Sequence, residues 1–75
     1  MNPSKIYSII AKVLEINIDD INNELSIGDI PQWDSLAHMQ LLEALEESSA
    51  TTLDIEQIIE IEDVQDIIDA FQKRD

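Results

Sequence analysis

Four stretches of this chain carry apolar residues at helical spacing, and a long turn-rich segment separates the first stretch from the second. The first stretch follows an Asn2-Pro3 pair, which is typical of a helix start, and it predicts a helix over about residues 3–15. One face of this helix is apolar and consists of Ile6, Ile9, Ile10, Val13 and Leu14. Because no segment alternates between apolar and polar residues as a half-buried strand does, the pattern indicates an all-α fold.

Residues 17–34 form the turn-rich segment, in which Asn, Asp, Gly and Pro are frequent. A loop of this length is uncommon in a compact domain unless it is functional or held down. Five apolar residues in it are spaced too irregularly for a helix or a strand, and we expect them to pin the loop to the core: Ile18, Ile21, Leu25, Ile27 and Ile30. A short helical turn is expected near residues 20–24.

The second helix should begin at Ser35, because Asp34 is a favourable N-cap residue. Its core face is expected to contain Leu41, Leu42 and Leu45. Residues 48–52, with the sequence Ser-Ser-Ala-Thr-Thr, are poor helix formers and are predicted to be a linker.

Two further cap residues predict the last two helices. Asp54 can cap a short third helix that ends at Glu60, and Asp63 can cap a fourth helix. The apolar residues of the fourth helix recur at i, i+3, i+4 and i+7: Val64, Ile67, Ile68 and Phe71. The chain, residues 1–75, is therefore expected to be a single domain, a four-helix bundle with three main helices and a short third helix.

Charge is distributed very unevenly along the chain. The formal net charge is −13, and residues 13–72 contain 16 of the 17 acidic residues but no Lys or Arg. Such a surface repels nucleic acid and anionic lipid, and it attracts basic partners. We therefore expect no nucleic-acid binding, and a fold that is more stable at moderate salt than at very low salt.

The composition also excludes several kinds of chemistry and several locations. The chain has no cysteine, so it forms no disulfide, no thiolate metal site and no cysteine nucleophile. If it works through a thioester, the sulfur must come from another molecule. No apolar run is long enough to span a membrane, and the N-terminus lacks the layout of a signal peptide. We expect a cytoplasmic, monomeric protein without stable membrane insertion.

The stretch Trp33-Asp34-Ser35-Leu36 places a serine hydroxyl at the start of the second helix, at the end of the long loop. Taken alone, these residues are an ordinary helix cap. The N-terminus of a helix presents free N–H groups and a partial positive charge, so a phosphodiester on Ser35 would be tolerated there. Trp33 is expected to pack the end of the loop against the second helix.

In this setting the chain resembles acyl carrier proteins over essentially its whole length. The best-matching segments are Trp33-Asp34-Ser35-Leu36 and residues 41–47, 53–56 and 61–67. The resemblance implies an acyl-carrier-like four-helix bundle with a long loop between helices one and two. It also implies that Ser35 is the attachment point for phosphopantetheine, delivered from coenzyme A by a phosphopantetheinyl transferase. The terminal thiol of that group would then be loaded by an acyl ligase or an acyltransferase.

The resemblance further implies a surface that docks onto basic patches of partner enzymes. We call this surface the docking face, and it comprises Asp34, Leu36, Met39, Gln40, Glu43, Glu46, Glu47 and Ile61. An acyl chain is expected to be sheltered between helices that part at Leu41, Leu45, Ile58, Ile61 and Ile67.

Four positions depart from the pattern of carriers in general fatty-acid synthesis. Ala37 and Gln40 stand where acids are usual, and Ser49 stands where an aromatic residue commonly ends the helix. Trp33 also replaces a small residue. We therefore expect a carrier dedicated to a specialised fatty-acid, polyketide or surface-polysaccharide pathway.

The same residues also allow other interpretations. Ser35, His38 and Asp34 could suggest a catalytic triad, but neighbouring residues point in different directions on a helix, so no catalytic residue and no enzyme activity are expected. His38 is expected to be a partly buried helix residue or a surface contact.

The acids of residues 19–24 lack the spacing of a calcium loop, and no metal site is expected. An aminoacyl or peptidyl carrier and an unmodified acidic helical adaptor remain as alternatives.

Overall fold

Four α-helices build the protein in a computed structural model that describes residues 1–72. They are α1 (Pro3–Leu14), α2 (Ser35–Ser49), α3 (Ile55–Glu60) and α4 (Val64–Gln72). The described residues contain no strand, which confirms the predicted all-α class. Residues 73–75 of the expected domain lie outside the described part of the chain.

Each helix begins directly after the polar cap residue that the sequence predicts. The side chains of Asn2 and Asp34 accept hydrogen bonds of 2.8 Å from the backbone N–H groups of the third residue that follows each of them. Asp54 forms a full capping box with Gln57, and Asp63 accepts from the Asp66 N–H at 2.8 Å. These bonds satisfy backbone donors that a helix leaves free at its start, which is why such short helices begin at defined positions.

The helix ends differ more from the prediction. Helix α1 ends one residue earlier than expected, with Glu15 in a left-handed conformation. Helix α2 includes Ser48 and Ser49, so the predicted linker at residues 48–52 is wrong for these two positions. The Ser49 hydroxyl donates to the Leu45 carbonyl at 2.8 Å and is thereby satisfied within the helix.

The core lies where α1 packs against α2 and α4. It combines the predicted apolar faces with Trp33 from the loop, and its largest fully buried side chains are Trp33, Ile6, Ile10, Leu41, Leu42, Leu45, Ile67 and Val64. Burial of these faces supplies most of the stability of such short helices, which are marginal when isolated.

The long loop contains its helical turn earlier than predicted. A 3₁₀ turn spans Ile18–Asp20, not residues 20–24, because the Asn17 side chain caps it by accepting from the Asp19 N–H. As a result Ile18 is 43% exposed and does not pin the loop, which corrects the prediction for this residue. Ile21 is buried, and the remaining apolar residues of the loop pack partly buried against the core: Leu25, Ile27 and Ile30.

Backbone hydrogen bonds hold the second half of the loop against the connection between α3 and α4. The Ile27 N–H donates to the Glu62 carbonyl at 2.8 Å, and the Val64 N–H donates to the Leu25 carbonyl at 3.0 Å. Ser26 and Asp63 thereby form an isolated antiparallel bridge. The loop is thus tied down on both sides of this bridge before it reaches α2.

Within residues 1–72, no helix combines the length and the apolar character needed to cross a membrane.

Candidate functional site

Ser35 is the first residue of α2, and its side chain is exposed. Asp34 caps the Ala37 N–H, whereas no group within residues 1–72 accepts from the backbone N–H of Ser35 or of Leu36. These two free donors lie at the positive end of a 15-residue helix. The site therefore presents an exposed hydroxyl beside backbone donors that favour an anion.

Trp33 anchors the chain two residues before this hydroxyl. Its side chain is 0% exposed, and its backbone makes two hydrogen bonds within the loop. The Gly28 N–H donates to the Trp33 carbonyl at 2.9 Å, and the Trp33 N–H donates to the Ile30 carbonyl at 3.1 Å. Gly28 has a φ of 90°, a left-handed conformation that suits glycine. Trp33 thus packs the end of the loop into the core, as predicted.

His38 holds the indole of Trp33 from α2. The Trp33 Nε1–H donates to His38 Nδ1 at 2.9 Å, and the two rings stack with centroids 5.9 Å apart. Because Nδ1 accepts, the imidazole is in the neutral tautomer that carries its proton on Nε2. His38 is 6% exposed, so it is more deeply buried than the sequence predicted, and it is not a surface contact.

Burial lowers the pKa of His38 below its ordinary value of 6.5. The backbone of Ile61 acts in the opposite direction, although no bond of acceptable hydrogen-bond geometry joins it to the imidazole. Nε2 is therefore buried without a partner among the described residues. Burial is the larger of the two effects and favours a neutral imidazole at neutral pH.

The arrangement does not form a catalytic triad. The Asp34 carboxylate accepts from the Ala37 N–H, and His38 Nδ1 is occupied by the indole of Trp33. Neither group is therefore available to activate the Ser35 hydroxyl in the way that a triad requires. Residues 1–72 also hold no cluster of three or more side chains suited to a metal ion.

The structure places most of the predicted docking face on the surface around and beyond Ser35. Leu36 is 69% exposed and Met39 is 49% exposed, and four polar members of the face are also exposed: Asp34, Gln40, Glu43 and Glu47. These residues form an apolar patch next to the hydroxyl that becomes acidic along α2.

Two members of the predicted docking face are placed differently. Ile61 is 6% exposed and belongs to the core, so its side chain is not on the docking face in this structure. Glu46 is half-buried, and its carboxylate accepts from the Leu53 N–H at 2.7 Å. Glu46 therefore also holds the segment between α2 and α3, a role that the sequence did not indicate.

Four of the five predicted acyl-pocket residues are buried in a closed core: Leu41, Leu45, Ile61 and Ile67. Ile58 is half-buried and borders a surface groove of about 320 Å³ between α2 and α3. The other residues that line the groove come from α2, and they are Leu36, Met39, Gln40, Leu42, Glu43 and Glu46. The pocket role of the five residues stays a prediction.

Sequence reasoning missed two exposed apolar residues on α3. Ile55 is 67% exposed and Ile59 is 70% exposed. A helix of six residues with three isoleucines has little means of burying all of them, and the i, i+4 spacing of Ile55 and Ile59 places both on one face. This spacing was the available signal for an apolar surface on α3.

Comparison with protein families matches residues 4–71 to the family described as a phosphopantetheine attachment site. The match covers nearly the whole chain, and the helical fold agrees with it. The chain therefore belongs to this family of acyl-carrier-type proteins, which attach a phosphopantetheine prosthetic group covalently. Carrier domains of the family are generally not enzymes, and they work with a phosphopantetheinyl transferase and with pathway enzymes. A comparison with curated proteins gives no match.

Proposed function

We propose that Ser35 is the residue that carries phosphopantetheine, and that the protein is a carrier of acyl groups. The observation that supports this proposal is the exposed Ser35 hydroxyl at the start of α2, at the end of a loop that the buried Trp33 holds. When attached, the prosthetic group supplies a thiol on a long arm, which a chain without cysteine lacks.

The residues around Ser35 fit the phosphodiester through which this group is attached. The free N–H groups of Ser35 and Leu36 and the positive end of α2 stabilise an anion at this position. Within residues 1–72, Asp34 and His38 are engaged in other hydrogen bonds, and no cluster of three or more side chains is suited to a metal ion. In this proposal the transferase supplies the general base and magnesium, while the chain presents the hydroxyl.

Recognition is proposed to depend on the exposed part of the docking face. Leu36 and Met39 offer apolar anchors beside Ser35, and Glu43 and Glu47 offer negative charge one to three turns further along α2. Basic surfaces on the transferase and on the loading enzymes complement this arrangement.

The attachment is tested by incubation with coenzyme A and a transferase of broad specificity. The intact mass of the wild-type protein should rise by one phosphopantetheine group, and Ser35→Ala should abolish the rise. Ser48→Ala, which changes an exposed serine elsewhere on the same helix, serves as the matched control and should be modified like the wild type. An unchanged mass for the wild type would favour the unmodified acidic adaptor.

The cargo is proposed to be an acyl group of a specialised pathway. The support is the thin negative charge next to Ser35, where Ala37 and Gln40 stand in place of acids. Enzymes of general fatty-acid synthesis that depend on such acids should load the modified protein slowly, whereas a dedicated ligase should load it well. Measured loading rates that are comparable for fatty-acid synthase enzymes, with no dedicated ligase active, would contradict this proposal, and loading by an aminoacyl ligase would favour the aminoacyl carrier.

A further inference from the structure

Trp33 and His38 occupy two positions that commonly interact at the start of a helix. With Asp34 as the N-cap, Trp33 is the residue before the cap and His38 is the fourth residue of the helix. Two apolar side chains at these positions often pack together and set the direction in which the chain enters the helix. In this protein a buried hydrogen bond of 2.9 Å joins the two residues instead.

Ser35, the proposed modification site, lies between Trp33 and His38 in the sequence. Trp33 carries the end of the loop through its backbone bonds to Gly28 and Ile30. His38 belongs to the first turns of α2 and is buried in the same core. The pair therefore connects the two segments whose relative position determines where the Ser35 hydroxyl lies.

We propose that His38 is a positioning residue for the modification of Ser35, acting through its hydrogen bond to Trp33. This inference rests on the proposed function, since it concerns the same site. Among the described residues, His38 forms no hydrogen bond to the Ser35 hydroxyl. It holds the indole, and the indole holds the end of the loop in the geometry that the transferase must recognise.

The bond depends on the protonation state of the imidazole. Nδ1 accepts from the indole only while it has a free lone pair, and a protonated imidazole would place an N–H donor against the Trp33 donor. Asp34, four residues before His38, is engaged as the cap of the Ala37 N–H. Burial lowers the pKa of His38 and the Ile61 backbone raises it, and no charged side chain is among these causes.

The test compares the rate of phosphopantetheine transfer to three variants with the rate for the wild type. His38→Leu and Trp33→Phe each remove one partner of the bond and keep an apolar side chain, and each should slow the transfer about five-fold, the equivalent of one ordinary hydrogen bond. His38→Asn keeps an acceptor close to the position of Nδ1 and should retain nearly the wild-type rate at neutral pH. The asparagine cannot be protonated, so the ratio of wild-type to His38→Asn rates should fall as the pH drops through the folded-state pKa of His38, which lies below 6.5.

A second measurement reports on the pair without the transferase. Trp33 is the only tryptophan of the chain, so one indole N–H signal is expected in a proton–nitrogen correlation spectrum. In the wild type this signal should be protected from solvent exchange at neutral pH and should lose protection in acid, whereas His38→Asn should keep it.

The two measurements separate the possible failures. If no protein gains mass while the indole signal behaves as described, the proposed function is wrong although the pair exists. If the wild type and all variants are modified at equal rates at every pH, the positioning role is overturned. If a variant loses its helical circular dichroism, the pH profiles of the wild type and of His38→Asn decide the question. Identical profiles for these two proteins would also overturn the inference.

Discussion

His38 is buried more deeply than its position in the sequence predicts. It is the only buried polar or charged residue of the described part of the chain, and its Nε2 has no partner there. A buried polar group without a partner costs free energy. The bond from Trp33 satisfies Nδ1 but does nothing for Nε2. Burial of the imidazole favours its neutral form, so protonation of the ring opposes folding.

The free energy of unfolding should reflect this titration. Burial lowers the pKa of His38 in the folded state below the 6.5 of the unfolded chain, so the unfolded state binds the proton first as the pH falls. Stability associated with His38 is fully present above pH 6.5 and is lost as the pH falls through the lowered folded-state pKa. Urea unfolding at a series of pH values should show the wild type losing stability relative to His38→Asn in this range. Parallel pH dependences for the two proteins would refute the expectation.

Helix α2 combines three tasks on its different sides. One side contributes Leu41, Leu42 and Leu45 to the core, and its start presents Ser35. The exposed side carries Leu36 and Met39 near the hydroxyl, followed by Glu43, Glu46 and Glu47. Glu46 is partly committed to the Leu53 N–H, so Glu43 and Glu47 are the acids of this side that remain available to a partner.

Reversal of these two charges should slow association with a basic partner. The double variant Glu43→Lys/Glu47→Lys should lower the rate of transferase association about ten-fold at low salt, because electrostatic steering is lost. The difference should shrink as salt is added, since the screening length falls to about 10 Å at 0.1 M. Glu24→Lys, at an exposed loop position before α2, is the control and should change the rate little. A salt-independent loss would point to damage to the fold.

At the scale of the whole molecule, negative charge opposes the compact state. The described residues include only two side-chain cations, Lys5 and Lys12, both exposed on α1. The remaining surface, over residues 13–72, has 16 acids and no Lys or Arg to balance them. Like charges at this density repel one another and favour the expanded chain.

Added salt or millimolar magnesium should therefore raise the melting temperature from its value at very low ionic strength. Screening at about 10 Å removes much of the repulsion between exposed carboxylates, while the apolar core is little affected. Thermal unfolding followed by circular dichroism at increasing sodium chloride, and separately at matched ionic strength with magnesium, measures the effect. A melting temperature that does not depend on ionic strength would contradict this account.

The sequence alone determined the helices and their beginnings. Asn2, Asp34, Asp54 and Asp63 cap backbone groups within three residues of themselves, so the signal and the structure that it produces are local. The apolar periodicity likewise identified the core faces. The predicted start of α2 at Ser35 is confirmed, because this position depends on the cap residue directly before it.

Only the tertiary structure decided how the parts meet. The bridge between Ser26 and Asp63 and the burial of Ile61 depend on contacts between segments far apart in the chain, which no local pattern encodes. The bond between Trp33 and His38 spans only five residues, but it forms because the core closes around both rings. Long-range packing, unlike capping, depends on where every other element lies, and for that reason it had to be seen in the fold.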